Sequence, residues 1–123
     1  MKSTKLIQTE IHFGWSGHES VVKNILRFVA LHYQKTGTLA VCAFDQNGEP
    51  FADITVCLGE PLTPGFAYVD TNNCPWAERL LTETGIAKPA KNGAAKQSGY
   101  CTYPLYEFDM TKFSDEYSGL LCP

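Results

Sequence analysis

The sequence is short of close metal-ligand pairs. Its three histidines and five cysteines include no CxxC, and no histidine stands at ligand spacing from another histidine or from a cysteine. Structural zinc sites draw their four ligands from two close pairs, so no metal site is expected. No apolar run approaches the ~20 residues needed to span a bilayer. Met1-Lys2-Ser3-Thr4-Lys5 opens like the basic region of a signal peptide, but Gln8, Thr9 and Glu10 interrupt the apolar stretch that should follow. A cytoplasmic location without membrane contact is the expectation. An excess of basic charge is missing too: the formal net charge of −3 gives no electrostatic reason to expect a nucleic-acid partner. The odd number of cysteines, five, reads in a cytosolic chain as reduced thiols and not as a disulfide framework.

What is present describes a globular chain. With 44% hydrophobic and 19% charged residues in 123, the sequence can fill one core, and residues 1–123 are expected to form a single domain with a frayed or partly helical tail from about residue 111. The clearest local unit is a β-hairpin over residues 38–58. Asn47-Gly48 is a strong signal for a two-residue turn with positive φ, and it places Ala43 opposite Ala52, Val41 opposite Ile54 and Leu39 opposite Val56. That register gathers Leu39, Val41, Ala43, Ala52, Ile54 and Val56 on one apolar face, and Cys42, Phe44, Phe51, Asp53, Thr55 and Cys57 on the other.

Leu6 to Phe13 reads as a strand. Ser20 to Tyr33 fits either a helix or a buried strand, and its β-branched content favours the strand. Pro75 suits the first turn of a helix over about residues 75–84, which Gly85 stops. Ile86 to Gly99 reads as a basic loop, with Lys88, Lys91 and Lys96 facing no acid. Tyr103 to Phe108 reads as a final strand, with Pro104 placing its start at an edge. The sum is an α+β fold: a mainly antiparallel sheet containing the 38–58 hairpin, with one principal helix packed against it.

Two stretches are unusual in composition. They are Val69-Asp70-Thr71-Asn72-Asn73-Cys74-Pro75-Trp76-Ala77-Glu78 and Ser98-Gly99-Tyr100-Cys101-Thr102-Tyr103-Pro104-Leu105-Tyr106-Glu107-Phe108. Together with Gly48 to Val56 and Gly59 to Leu62, they resemble a family of small uncharacterised proteins with a domain of unknown function. Such proteins are carried by gut Firmicutes and related bacteria, often on plasmids or conjugative elements. The likeness covers roughly Gly37 to Asp109. It implies a bacterial, mobile-element context and no activity.

The same two stretches hold the candidate sites. Cys74, beside the start of the helix, would feel its positive end and could be a nucleophile or a redox thiol with Cys101; the alternative is a small buried residue. Asp70, Asn72 and Asn73 could cap the helix or hold a ligand. Trp76, Tyr100, Tyr103 and Tyr106 carry the broad amphipathic rings that interfaces favour, although they could equally wall the core. His12, His18 and Glu19 surround a turn and do not make a site. The leading expectation is a non-enzymatic accessory or protein-binding module using Asn72–Trp76 and Gly99–Tyr106, with no cofactor. The alternatives are a thiol-dependent enzyme or redox switch on Cys74 and Cys101, and a nucleic-acid accessory factor. The sequence gives no oligomeric state.

Overall fold

A computed structural model describes residues 1–15 and 17–117. The chain runs through β1 (Lys2–Ser3), β2 (Ile7–Trp15), β3 (His18–His32), β4 (Leu39–Asp45), β5 (Pro50–Asp53), β6 (Thr55–Val56) and β7 (Phe66–Val69). Then follow α1 (Ala77–Thr84), β8 (Ala87–Pro89), β9 (Ala95–Ser98), β10 (Cys101–Phe108) and β11 (Asp115–Glu116). Short 3-10 turns at Lys91–Gly93 and Met110–Lys112 complete it.

The expected α+β class is corrected. Strand makes up 51% and helix 12% of the described residues, so the fold is essentially all-β, in two antiparallel sheets. Ser20 to His32 is extended within the 15-residue β3, as its composition favours. The difference lies further along the chain. The expected basic loop at 86–99 instead holds β8 and β9, both paired to β10. Their small and polar residues give no β signal of their own; the pairing comes from β10.

The first sheet has the order β11-β1-β3-β4-β5, with β2 also on β3; the second has β6-β7-β10-β8, with β9 also on β10. The hairpin around Gly48 pairs Ala43 with Ala52, but it ends at Asp53 instead of running to residue 58. There the chain turns a corner: Ile54 N–H bonds to the Val41 carbonyl in the first sheet, and Thr55 and Val56 pair with β7 in the second. The turn also differs from expectation. Asp45 accepts from Gly48 N–H at 3.0 Å, and only Gly48 of the turn takes a positive φ (81°), so a bulge replaces the two-residue loop.

α1 packs between β2 and β8 and plugs the gap between the sheets. Its buried residues Ala77, Leu80 and Leu81 join Ile11, Leu26, Phe28, Val41, Ile54, Val69, Tyr106 and Phe108 in one core. A smaller cluster of Val29, Phe44 and Tyr117 covers the other face of the first sheet, with Arg27 stacked 5.5 Å from the Tyr117 ring centroid. The tail, expected to be frayed or partly helical from about 111, carries the Met110–Lys112 turn, the buried Phe113 and then β11, which pairs with β1. Residues 118–123 of that tail lie outside the described residues. As expected, β10 starts at an edge: among the described residues Cys101 to Pro104 pair only with β9, and pairing with β7 begins at Leu105. Pro104 leaves its mark by ending the β7 ladder at Leu105–Tyr68, because it has no N–H for the next rung. Among the described residues no helix is long and apolar enough to cross a membrane.

Candidate functional site

The site grows from the turn between β7 and α1. Val69 ends the strand, and Asp70 ties the turn together. Its Oδ2 accepts from Asn73 Nδ2 at 2.8 Å, its Oδ1 accepts from Asn73 N–H at 3.2 Å, and its carbonyl accepts from Cys74 N–H at 2.8 Å. Asp70 is buried, whereas Asn72 and Asn73 are exposed. None of the three caps α1, whose N-terminal flank is Trp76 without a side-chain bond. The expected helix cap is thus a turn lock instead.

Cys74 faces inward. Its Sγ lies 3.4 Å from the Asp53 carbonyl, and burial, followed by the Asp70 and Asp53 charges, pushes the thiol up to about 11. This is the reverse of the shift expected from a helix terminus. α1 begins three residues further on, and the sulfur points into the core. Asp53 gathers a second thiol: Cys42 Sγ donates to Oδ1 at 3.3 Å, and burial plus that bond raise Cys42 to about 12. Sequence reasoning passed over Asp53, although the predicted hairpin register already set it across from Cys42. Cys101 is also a free thiol, beside Tyr103. No bond joins Cys101 to Cys74.

The second stretch lies alongside the first. Continuing the β7–β10 register from Leu105–Tyr68 sets Tyr103 across from Asp70. The Tyr103 phenol is held above its usual range by Cys101, by burial and by the Asp70 charge. Beyond it, β9 and β10 close on the two-residue loop Gly99-Tyr100, where Gly99 has the positive φ (62°) that the first position of a type II′ turn requires. Tyr100 stands at the tip with 106% relative exposure, so its ring contacts almost nothing in the chain. Tyr106 is different. It is buried, and its hydroxyl donates to Glu78 Oε1 at 2.8 Å, so it anchors α1 and does not face outward.

On the other flank, Trp76 is half-buried against the core and meets the exposed Phe51 ring edge-on, 5.9 Å between centroids. Phe51, another residue the sequence did not single out, precedes Asp53 by two positions. A track of exposed and half-exposed side chains is traced from Tyr100 and Tyr103, past Asn72 and Asn73, to Phe51 and Trp76, with Asp70 and Cys74 of the turn buried. Its aromatic ends are accessible and its middle is polar.

Other features lie elsewhere. His12 Nδ1 sits 2.7 Å from Glu19 Oε1, which also receives Arg79 Nη1 at 3.4 Å; His18 lies at the far end of the β2–β3 ribbon, opposite Trp15. Lys96, expected in a solvated loop, is paired with Glu60 at 2.8 Å. An open groove of about 670 Å³ separates the end of α1 from β10, lined by Gly85, Lys88, Phe108 and Met110 among others. Among the described residues no three His, Cys, Asp or Glu side chains cluster as a metal would need.

Comparison with curated proteins and with solved structures gives no match. A family match does exist, over residues 27–119, which takes in the Asp53 corner, the 70–76 turn and the β9–β10 hairpin. The chain belongs to the family described as domain of unknown function DUF4313.

Proposed function

We propose that the protein is a bacterial, cytoplasmic protein-binding accessory module without catalytic chemistry, whose docking surface is the track from Tyr100 to Trp76. Tyr100 carries this reading. A tyrosine at the tip of a tight two-residue hairpin, with its ring wholly outside the fold, adds no packing to the core and stands on a backbone already fixed for contact. The Phe51–Trp76 pair supplies a second accessible aromatic site across the polar Asp70–Asn73 turn. Accessible aromatic side chains supply the anchors of many protein interfaces, and the polar groups of the turn between these two are already hydrogen-bonded. The mobile-element setting implied by the sequence resemblance fits an accessory role in plasmid or conjugative biology.

The thiol reading loses support from the same geometry. Cys74 is buried and its pKa is raised, and both Cys74 and Cys101 are free thiols, so neither a reactive thiolate nor a formed disulfide supports it. The nucleic-acid reading gains nothing, since Lys96, the lysine opposite Tyr103, is already paired with Glu60. The test is quantitative capture of host proteins on the immobilised chain. Tyr100→Ala should reduce retention of a specific partner at least about tenfold, as loss of an aromatic anchor does, while the melting temperature stays unchanged. Equal retention by wild type and variant would overturn the proposal.

A further inference from the structure

The β2–β3 ribbon has an open edge of its own. β3 pairs with β2 along His18–Leu26 and with β4 only from Leu26 onward, so among the described residues no strand pairs with 18–25 on the β4 side. The direction of the backbone groups follows from Phe28, whose N–H and C=O both bond Thr4 on the β1 side. By strand alternation Asn24 and Val22 face the same way, and Thr9 Oγ1 does donate to the Asn24 carbonyl. Glu19, Val21, Lys23 and Ile25 therefore aim their N–H and C=O groups at the open edge. Val21, Val22 and Ile25 are also exposed, at 46%, 46% and 41%. Long exposed edges of this kind are templates for another strand.

We infer that this edge is a dimer interface, at which β3 of a second copy of the chain pairs antiparallel with residues 19–23. Charge and register select the occupant. A two-fold axis through Val21 pairs Val21 with its own copy and sets Glu19 opposite the partner's Lys23, twice over. All of these residues already aim their hydrogen-bonding groups outward. Shifting the axis to Val22 would set Glu19 against Ile25 and Lys23 against Val21, losing both charge pairs. Glu19 makes its contacts to His12 and Arg79 through Oε1, which leaves Oε2 for the partner lysine. Lys23 makes no ion pair among the described residues; Glu10 lies opposite it in register without reaching 4 Å. The edge precedes residue 27, so this contact is separate from the family-matched part and from the Tyr100–Trp76 track.

The experiment is sedimentation equilibrium of the full chain between 1 µM and about 500 µM, a range that covers weak homodimers. Wild type should move from 13.6 kDa towards twice that mass. Val21→Pro removes an N–H aimed only at the partner, so it should remain monomeric throughout while far-UV circular dichroism is retained. Glu19→Lys alone and Lys23→Glu alone each create two like-charge pairs and should weaken the dimer about tenfold. An equimolar mixture of the two restores opposite charges at both positions and should re-form the dimer. A wild type that stays monomeric overturns the proposal. So does a dimer indifferent to the charge variants, or a mixture no tighter than its parts. These charge results decide the matter even if Val21→Pro fails to fold.

Discussion

Asp53 organises the corner where the two sheets meet, with a thiol donated to its carboxylate and another to its carbonyl. Both thiols titrate higher in the folded chain than the 9.0 of a free cysteine: Cys42 at about 12 and Cys74 at about 11. Their neutral forms therefore favour folding. That contribution is complete below pH 9 and is lost as the pH climbs through 11 to 12. We expect chemical-denaturation midpoints to fall above pH 9, and to fall less in Cys42→Ala/Cys74→Ala. At neutral pH, Cys74 should carry about a hundredfold less thiolate than a free thiol. Its alkylation, followed by mass spectrometry, should be slower than that of exposed Cys57; a rate faster than Cys57 would return Cys74 to the list of nucleophiles. Part of this residue chemistry could be read in the sequence. The Asn47-Gly48 signal placed Ala43 opposite Ala52 and hence Cys42 opposite Asp53. What could not be read was the direction of the Cys74 side chain, because that depends on the corner and not on local spacing.

At the scale of elements, α1 and β10 depend on one another. Tyr106 reaches from the sheet to Glu78 in the first turn of the helix. Tyr106→Phe should cost about 1 kcal/mol, since exposed Glu78 can rehydrate once its donor is gone; a cost indistinguishable from zero in urea titration would remove this tie from the account. Trp76→Ala should cost about 2 kcal/mol, less than a fully buried tryptophan, because half of the ring already meets solvent and Phe51. The helix was legible from Pro75, its apolar stripe and Gly85. β8 and β9 were not: Ala87-Lys88-Pro89 and Ala95-Lys96-Gln97-Ser98 have neither β-branched nor aromatic residues, and only the β10 partner makes them strands. Recognising those two strands is what turns the expected α+β arrangement into two sheets with a helical plug.

Across the whole molecule, exposed carboxylates fasten the periphery to the core. Glu116 is held below its usual range chiefly by Lys2, Glu60 by Lys96 and Glu19 by His12. These pairs tie the tail to β1, the 57–65 loop to β9 and the β2–β3 ribbon to α1. Each carboxylate titrates lower when folded, so its contribution is present above pH 4.5 and is lost as the pH falls through the lowered value. Hydrogen exchange below pH 4 should therefore accelerate first at residues 57–65, 95–98 and 115–117, with the main core still protected. Uniform acceleration would show that these ties do not act as separate fasteners.

The docking surface is the claim on which the functional reading rests, and carbene footprinting of the chain with and without its captured partner tests it most directly. Protection should concentrate at Tyr100, Tyr103, Asn72, Trp76 and Phe51. If the partner instead shields another face and leaves Tyr100 fully labelled, the account is contradicted.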